Sequence, residues 1–90
     1  MQIKRVSEAL LARGWHLAVA ESATGGLMGH RITKVPGSSR YFVGGVIAYA
    51  NEVKAAALNV RDESLERWGA VSAQVALEMA IGARTLIGAD

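Results

Sequence analysis

LAVAESATGGLM, residues 17–28, decides the fold. Leu17–Ala20 is a short apolar run without polar alternation, the composition of a strand covered on both faces, and Glu21-Ser22 ends it. Thr24-Gly25-Gly26 then opens a helical pattern carried by Leu27, Met28, Arg31 and Ile32. That pattern lasts to Lys34-Val35, because the residue ahead of a proline, here Pro36, is pushed out of the helical region. Strand, glycine turn and helix in that order are the signature of an α/β domain.

Upstream, Met1–Gly14 is a charged amphipathic pattern. Ile3, Val6, Leu10 and Leu11 recur at helical spacing between Lys4, Arg5 and Glu8, and Gly14 follows as the stop. Downstream, Pro36-Gly37-Ser38-Ser39 is the clearest loop in the chain. Val43–Tyr49 reads as a second buried strand, parallel to the first because a helix intervenes, with Gly44-Gly45 allowing close approach of another backbone or a ligand. Asn51 suits the N-cap of a helix reaching about Leu58. Asp62 caps a short helix to Trp68, which reads as a core anchor, and Ser72 caps a last helix whose inner face is Val75, Met79, Ala83 and Leu86 or Ile87. Two strands are too few for so many helices, since apolar strands want neighbours on both edges. The expectation is that a partner chain completes the sheet, or that residues 1–90 are the first part of a longer domain.

The 90 residues hold no Cys, one Pro and ten Gly, with 51% hydrophobic and 20% charged positions. That length permits one domain, and the absence of Cys excludes disulfide scaffolds, thiolate metal sites and a Cys nucleophile. No apolar stretch reaches the roughly 18–20 residues of a spanning helix, so the sequence predicts a soluble, cytoplasmic protein without membrane association. Residues 1–50 carry six basic and two acidic groups, and residues 51–90 carry four and six. A positive first half suits an anionic small molecule, whereas scattered basic residues and 6% aromatic positions do not suit nucleic acid.

Three constellations could carry chemistry. Glu21-Ser22-Ala23-Thr24-Gly25-Gly26 sits where a strand runs into a helix start, a natural anion site, although Thr24 there could equally be a plain cap. Pro36-Gly37-Ser38-Ser39-Arg40 presents hydroxyls and a guanidinium on a tight loop; it could expose a nucleophile or be only a turn. In Tyr49-Ala50-Asn51-Glu52-Val53-Lys54, an Asn51 cap puts a cation, Lys54, where the helix dipole disfavours it; the alternative is an exposed lysine on an ordinary helix. His16 and His30 lack any partner spacing for metal or triad chemistry, and both read as structural. No metal or cofactor is implied.

AESATGGLMGHRITKVPGSSRYFVGGVIAYANEVK (Ala20–Lys54) and GAVSAQVALEMAIGAR (Gly69–Arg84) together resemble the C-terminal domain of the CinA competence-inducible proteins, which also occurs as a nicotinamide mononucleotide deamidase. The resemblance implies a three-layer α/β/α domain, present here only in its first part. It also implies hydrolysis of nicotinamide mononucleotide to nicotinate mononucleotide and ammonia, with a pyridine nucleotide as small-molecule partner and a homo-oligomer or completing chain. By position it implies Ser39 as nucleophile, Lys54 as base and Tyr49 as proton relay, with Ser22, Thr24, Gly25 and Gly26 holding the substrate or oxyanion. Glu21 and Arg40 are further candidates for binding. Ala23 stands where the family usually has Cys, and the chain stops before the family's next glycine-rich loop. The alternative is a non-catalytic nucleotide-binding or interaction fragment of the same fold. These assignments further predict that Ser22, Ser39, Tyr49 and Lys54 converge on one cleft at one side of the sheet.

Overall fold

The computed structural model describes residues 3–90, so Met1 at the head of the first helical pattern lies outside the described residues. The chain forms α1 (Ile3–Arg13), β1 (Leu17–Glu21), α2 (Leu27–Thr33), a 3-10 turn (Ser38–Arg40), β2 (Phe42–Ile47), α3 (Asn51–Leu58), α4 (Asp62–Trp68) and α5 (Ala73–Ile87). The two strands pair in parallel, Leu17 opposite Phe42 and Glu21 opposite Ile47, with a slip after Leu17 that leaves Val43 as the extra residue. The strand–helix–strand reading therefore holds.

The sheet separates two apolar clusters. Val19, Ile32 and Tyr41 are buried on one face, with Leu10, Leu17 and Phe42 packed against them, so α1 and α2 cover that side. Ala48, Leu58, Val60, Val75, Met79 and Ala83 form the other cluster with Ala20 and Val46, which brings α3, α4 and α5 to the opposite face. The result is three layers, α/β/α. Within α5, Val75, Met79 and Ala83 are buried as the periodicity predicts, and of the two alternatives for the last position Ile87, four residues after Ala83, is half-buried while Leu86 is 61% exposed.

β2 departs from its sequence reading. It ends at Ile47 and its burial alternates between half-buried and exposed, with Val43 and Ile47 among the exposed side chains. α5 covers one face of β2 and the short α2 part of the other, and with a single neighbour strand its remaining surface stays open. Trp68 also departs: it is 44% exposed, and the Arg67 guanidinium stacks over its ring at 4.9 Å from the centroid. The ring serves as a cation–π surface rather than a core anchor.

Two local devices position the helices behind the sheet. Glu78 on α5 accepts hydrogen bonds from the Arg61 amide at 2.9 Å, the Ser64 hydroxyl at 2.6 Å and the Gln74 amide at 2.7 Å. The carboxylate, not Asp62, therefore satisfies the start of α4, where Arg61 is the cap residue. These donors, the Arg61 amide first, hold the Glu78 carboxyl down at about 2 from an ordinary 4.5. Ser72 caps α5 as expected, its hydroxyl accepting from the Val75 amide. The second device is Gly82, where a Cβ would overlap the Leu58 carbonyl, so α3 and α5 touch backbone to backbone. No helix among the described residues is long and apolar enough to cross a membrane.

Gly82→Ala is expected to lower stability by about 1–3 kcal/mol, the usual cost of forcing volume into a packed contact, seen as a lower urea midpoint with an unchanged slope. Because the Glu78 carboxyl lies below its unfolded value, its contribution is complete above about pH 4.5 and fades as pH falls toward about 2. Glu78→Gln should flatten the acid limb of the stability profile, followed by thermal melts between pH 6 and pH 3.

Candidate functional site at the carboxyl ends of the strands

The turn after β1 is built around Glu21. Its carboxylate is buried and accepts from the Thr24 hydroxyl at 2.7 Å and from the amides of Gly26 at 3.2 Å, Met28 at 2.9 Å and Gly29 at 2.9 Å. Burial alone would raise this carboxyl, but the Gly29 amide, the Thr24 hydroxyl and the Met28 and Gly26 amides outweigh it and hold it below its ordinary value. The anion site predicted at the start of α2 exists, and the chain's own carboxylate fills it.

This changes the reading of several residues. Glu21 is not free to contact a ligand. Thr24 is no helix cap but gives its hydroxyl to Glu21, and the Gly25 amide donates to the Ser22 carbonyl at 3.1 Å. With the Gly26 amide on Glu21, neither glycine has an N–H left for a substrate. Both have positive φ, 60° and 108°, a conformation that Gly alone enters without steric cost. Their role is to wrap the turn around the carboxylate.

Lys54 carries the second half of the site. Ala50, not Asn51, is the cap residue of α3, which moves Lys54 one position deeper, into the second turn. Its side chain is 1% exposed, and its Nζ donates to the Tyr49 carbonyl at 2.6 Å. Among the described residues it has no carboxylate partner, the two ion pairs being His16–Asp90 and Arg61–Glu78. The exposed-lysine alternative is thereby excluded. The Tyr49 side chain is 76% exposed, so it is the backbone of this residue, not its ring, that meets the amine.

Ser22 joins this end of the sheet. The Ala48 amide donates to the Glu21 carbonyl at 2.8 Å, so the segments after the two strands leave the sheet side by side, Ser22 from β1 and Tyr49 from β2. Ser22 is half-buried and lines a cleft of about 290 Å³ with Ala20, Val71, Ser72, Ala76 and Met79, on the α5 face of the sheet. α3, which carries Lys54, packs on that same face.

Ser39 and Arg40 lie elsewhere. The Ser38–Arg40 turn leads into β2, and the Leu17 amide donates to the Tyr41 carbonyl at 2.7 Å, which places this turn at the amino ends of both strands. Within the turn Ser38 is buried and Ser39 is exposed. Convergence of Ser22, Ser39, Tyr49 and Lys54 within one chain is therefore not what the fold produces. In a parallel sheet, a loop entering a strand and a loop leaving it are at opposite ends. His16 meets Asp90, its amide donating to the carboxylate at 2.9 Å with the ring Nδ1 3.7 Å away, whereas His30 is exposed on α2 and does not fill the structural role expected of it. No group of three His, Asp or Glu among the described residues is placed to hold a metal ion.

Comparison with known proteins gives the arrangement a family. The model of the CinA C-terminal domain matches residues 2–90. The chain belongs to the CinA family through this domain. A CinA-like protein of Thermosynechococcus vestitus is 55% identical over 85 residues, which is 94% of this chain and 20% of that protein. The solved structure of competence damage-inducible protein A from Klebsiella pneumoniae superposes with a TM-score of 0.93 at 38% identity, and a CinA superfamily protein from Escherichia coli with 0.94 at 34%. This chain covers 98% of itself in both and 55% and 51% of those structures. It thus spans about half of the solved CinA domains and about a fifth of the curated relative, and the three-layer α/β architecture is that of the family.

Glu21→Gln should cost about 1–3 kcal/mol, because the amide presents its own N–H protons to a ring of N–H donors. The carboxyl is lowered on folding, so wild-type stability from this group is complete above about pH 4.5 and falls as pH drops through the folded value. Chemical denaturation of both proteins across pH 3–7 should show the difference shrinking toward acid.

Proposed function

We propose that the chain contributes to an amidohydrolase site that converts nicotinamide mononucleotide to nicotinate mononucleotide and ammonia by a serine–lysine mechanism. The observation that carries this reading is Lys54: a buried amine at the carboxyl end of the sheet, held among the described residues by one neutral carbonyl and by no carboxylate. Enclosing an ammonium costs free energy unless it is paired, so structure alone gives no reason to bury a lysine there. Chemistry does, because a lysine removed from water and carboxylates can take and return a proton.

The reaction balances on these groups. The serine hydroxyl, assigned to Ser39, adds to the carboxamide carbon while Lys54 Nζ takes its proton. The tetrahedral species collapses with the C–N bond breaking, and Lys54 returns the proton to the leaving nitrogen, which departs as ammonia. Water then adds to the acyl-serine ester, gives a proton to Lys54, and the serine leaves with it as the acid forms. Ser22, beside the cleft at the same end, is suited to contact the substrate. The excess of basic groups in residues 1–50 favours an anionic nucleotide.

The wide separation of Ser39 and Lys54 in a single chain favours a second reading, a nucleotide-binding or interaction fragment without turnover. Incubation with nicotinamide mononucleotide and measurement of released ammonia decides between them. Turnover is expected, with Lys54→Met lowering it by about 10²–10⁴-fold, the usual contribution of a positioned base. Binding without ammonia release would support the second reading, and an active Lys54→Met protein would remove Lys54 from the mechanism.

A further inference from the structure

Asn59, directly after α3, is the one non-glycine residue with positive φ among the described residues, at 56°. Its side chain is exposed, so what the position contributes is the turn of its backbone. That turn folds the chain back over the end of the helix. The Asn59 amide donates to the Ala55 carbonyl at 3.1 Å, and the Val60 amide donates to the Lys54 carbonyl at 3.2 Å. The second bond reaches one residue further back than the usual left-handed helix ending, to Lys54 itself. On either side of the turn the chain is fixed to α5: the Leu58 carbonyl rests against Gly82, and the Arg61 amide donates to Glu78 at 2.9 Å. Leu58 and Val60 are buried in the core, so neither has room to absorb a change at Asn59.

Lys54 is thereby held from two directions. Its Nζ donates to the Tyr49 carbonyl ahead of α3, and its main-chain carbonyl accepts from Val60 behind it. A residue that resists positive φ either lifts Val60 out of the core or turns the end of α3 with it. Both outcomes release the Lys54 carbonyl. A β-branched residue resists most, alanine less, and glycine enters the conformation freely.

We infer that Asn59 is a positioning residue for Lys54: its left-handed backbone fixes the Lys54 carbonyl from behind and so sets where the amine is presented. The catalytic part of this inference rests on the serine–lysine reading above. The placement of the amine can be followed without turnover, because Lys54 is one of three lysines and the other two, Lys4 and Lys34, are exposed and serve as internal references. With an amine-acylating reagent and peptide mass spectrometry, Lys54 of the wild type should label far more slowly than either. Asn59→Gly should keep Lys54 within about twofold of that rate. Asn59→Ala should raise the rate and Asn59→Val should raise it most, by about tenfold, the scale of the left-handed penalty. Where the valine protein does not fold by circular dichroism, the alanine and glycine proteins decide.

Equal protection of Lys54 across the folded series overturns the inference. So does an equal rise in Ile32→Val, a variant of the opposite core cluster compared at its own urea midpoint, since the effect would then be general loosening. In turnover, Asn59→Val should lower kcat by up to about 10²-fold with KM within about twofold, and Asn59→Gly should retain wild-type kcat. An active wild type whose kcat is unchanged across the series overturns the positioning role and leaves the serine–lysine reading standing. A wild type without turnover removes that reading, while the labelling series still decides whether Asn59 holds Lys54.

Discussion

A single carboxylate organises the amino-terminal half of this domain. Glu21 ends β1 and, by collecting the first amides of α2 and the Thr24 hydroxyl, fixes where the helix starts and how closely it lies on the sheet. Four donors converge on it in a buried position, so the charge is stabilised locally rather than by a distant cation. With α2 set, Ile32 reaches Val19 and Tyr41, and the lower layer closes. The backbone geometry of Gly25 and Gly26 exists to serve this contact.

The upper layer depends on the mirror device, Glu78, which gathers the Arg61 amide, Ser64 and Gln74 from α5. Both carboxylates cap a helix from outside its own sequence neighbourhood or across a turn, and both lie below their ordinary titration range. Lys54, by contrast, has no counter-charge among the described residues. Among the described residues, the buried Glu21 and the half-buried Glu78 each gather several donors, whereas the buried Lys54 has a lone carbonyl. That contrast is the reason the proposed chemistry is assigned to Lys54 and not to either acid.

Much of this was legible in the sequence. The apolar run at Leu17–Ala20, the glycine turn and the stop at Pro36 gave the strand–helix order, and the inner stripe of α5 was readable from helical spacing. The odd placement of Lys54 singled out a residue that the fold buries, although its register was off by one because Ala50, which has no capping side chain, ends up as the cap. Glu21 was picked out but for a different role: the residues that consume its oxygens, Met28 and Gly29, lie seven and eight positions on, and only the folded turn brings their amides to it. The expected cleft failed on direction. The strand read at Val43–Tyr49 already separates Ser39, which enters it, from Lys54, which follows it, and the two ends of one strand do not meet within a chain.

The backbone contact at Gly82 has a consequence for precision. Most helix pairs are separated by side chains, whose rotamers act as compliant spacers and absorb small changes elsewhere. Where α5 meets α3 there is no such spacer, and the Leu58 carbonyl rests directly against the neighbouring main chain. Leu58 lies one turn after Lys54 on the same short helix. Placement of the amine is therefore tied to rigid covalent geometry, with little slack for drift, and variation on the outer surface of α3 can accumulate without moving it.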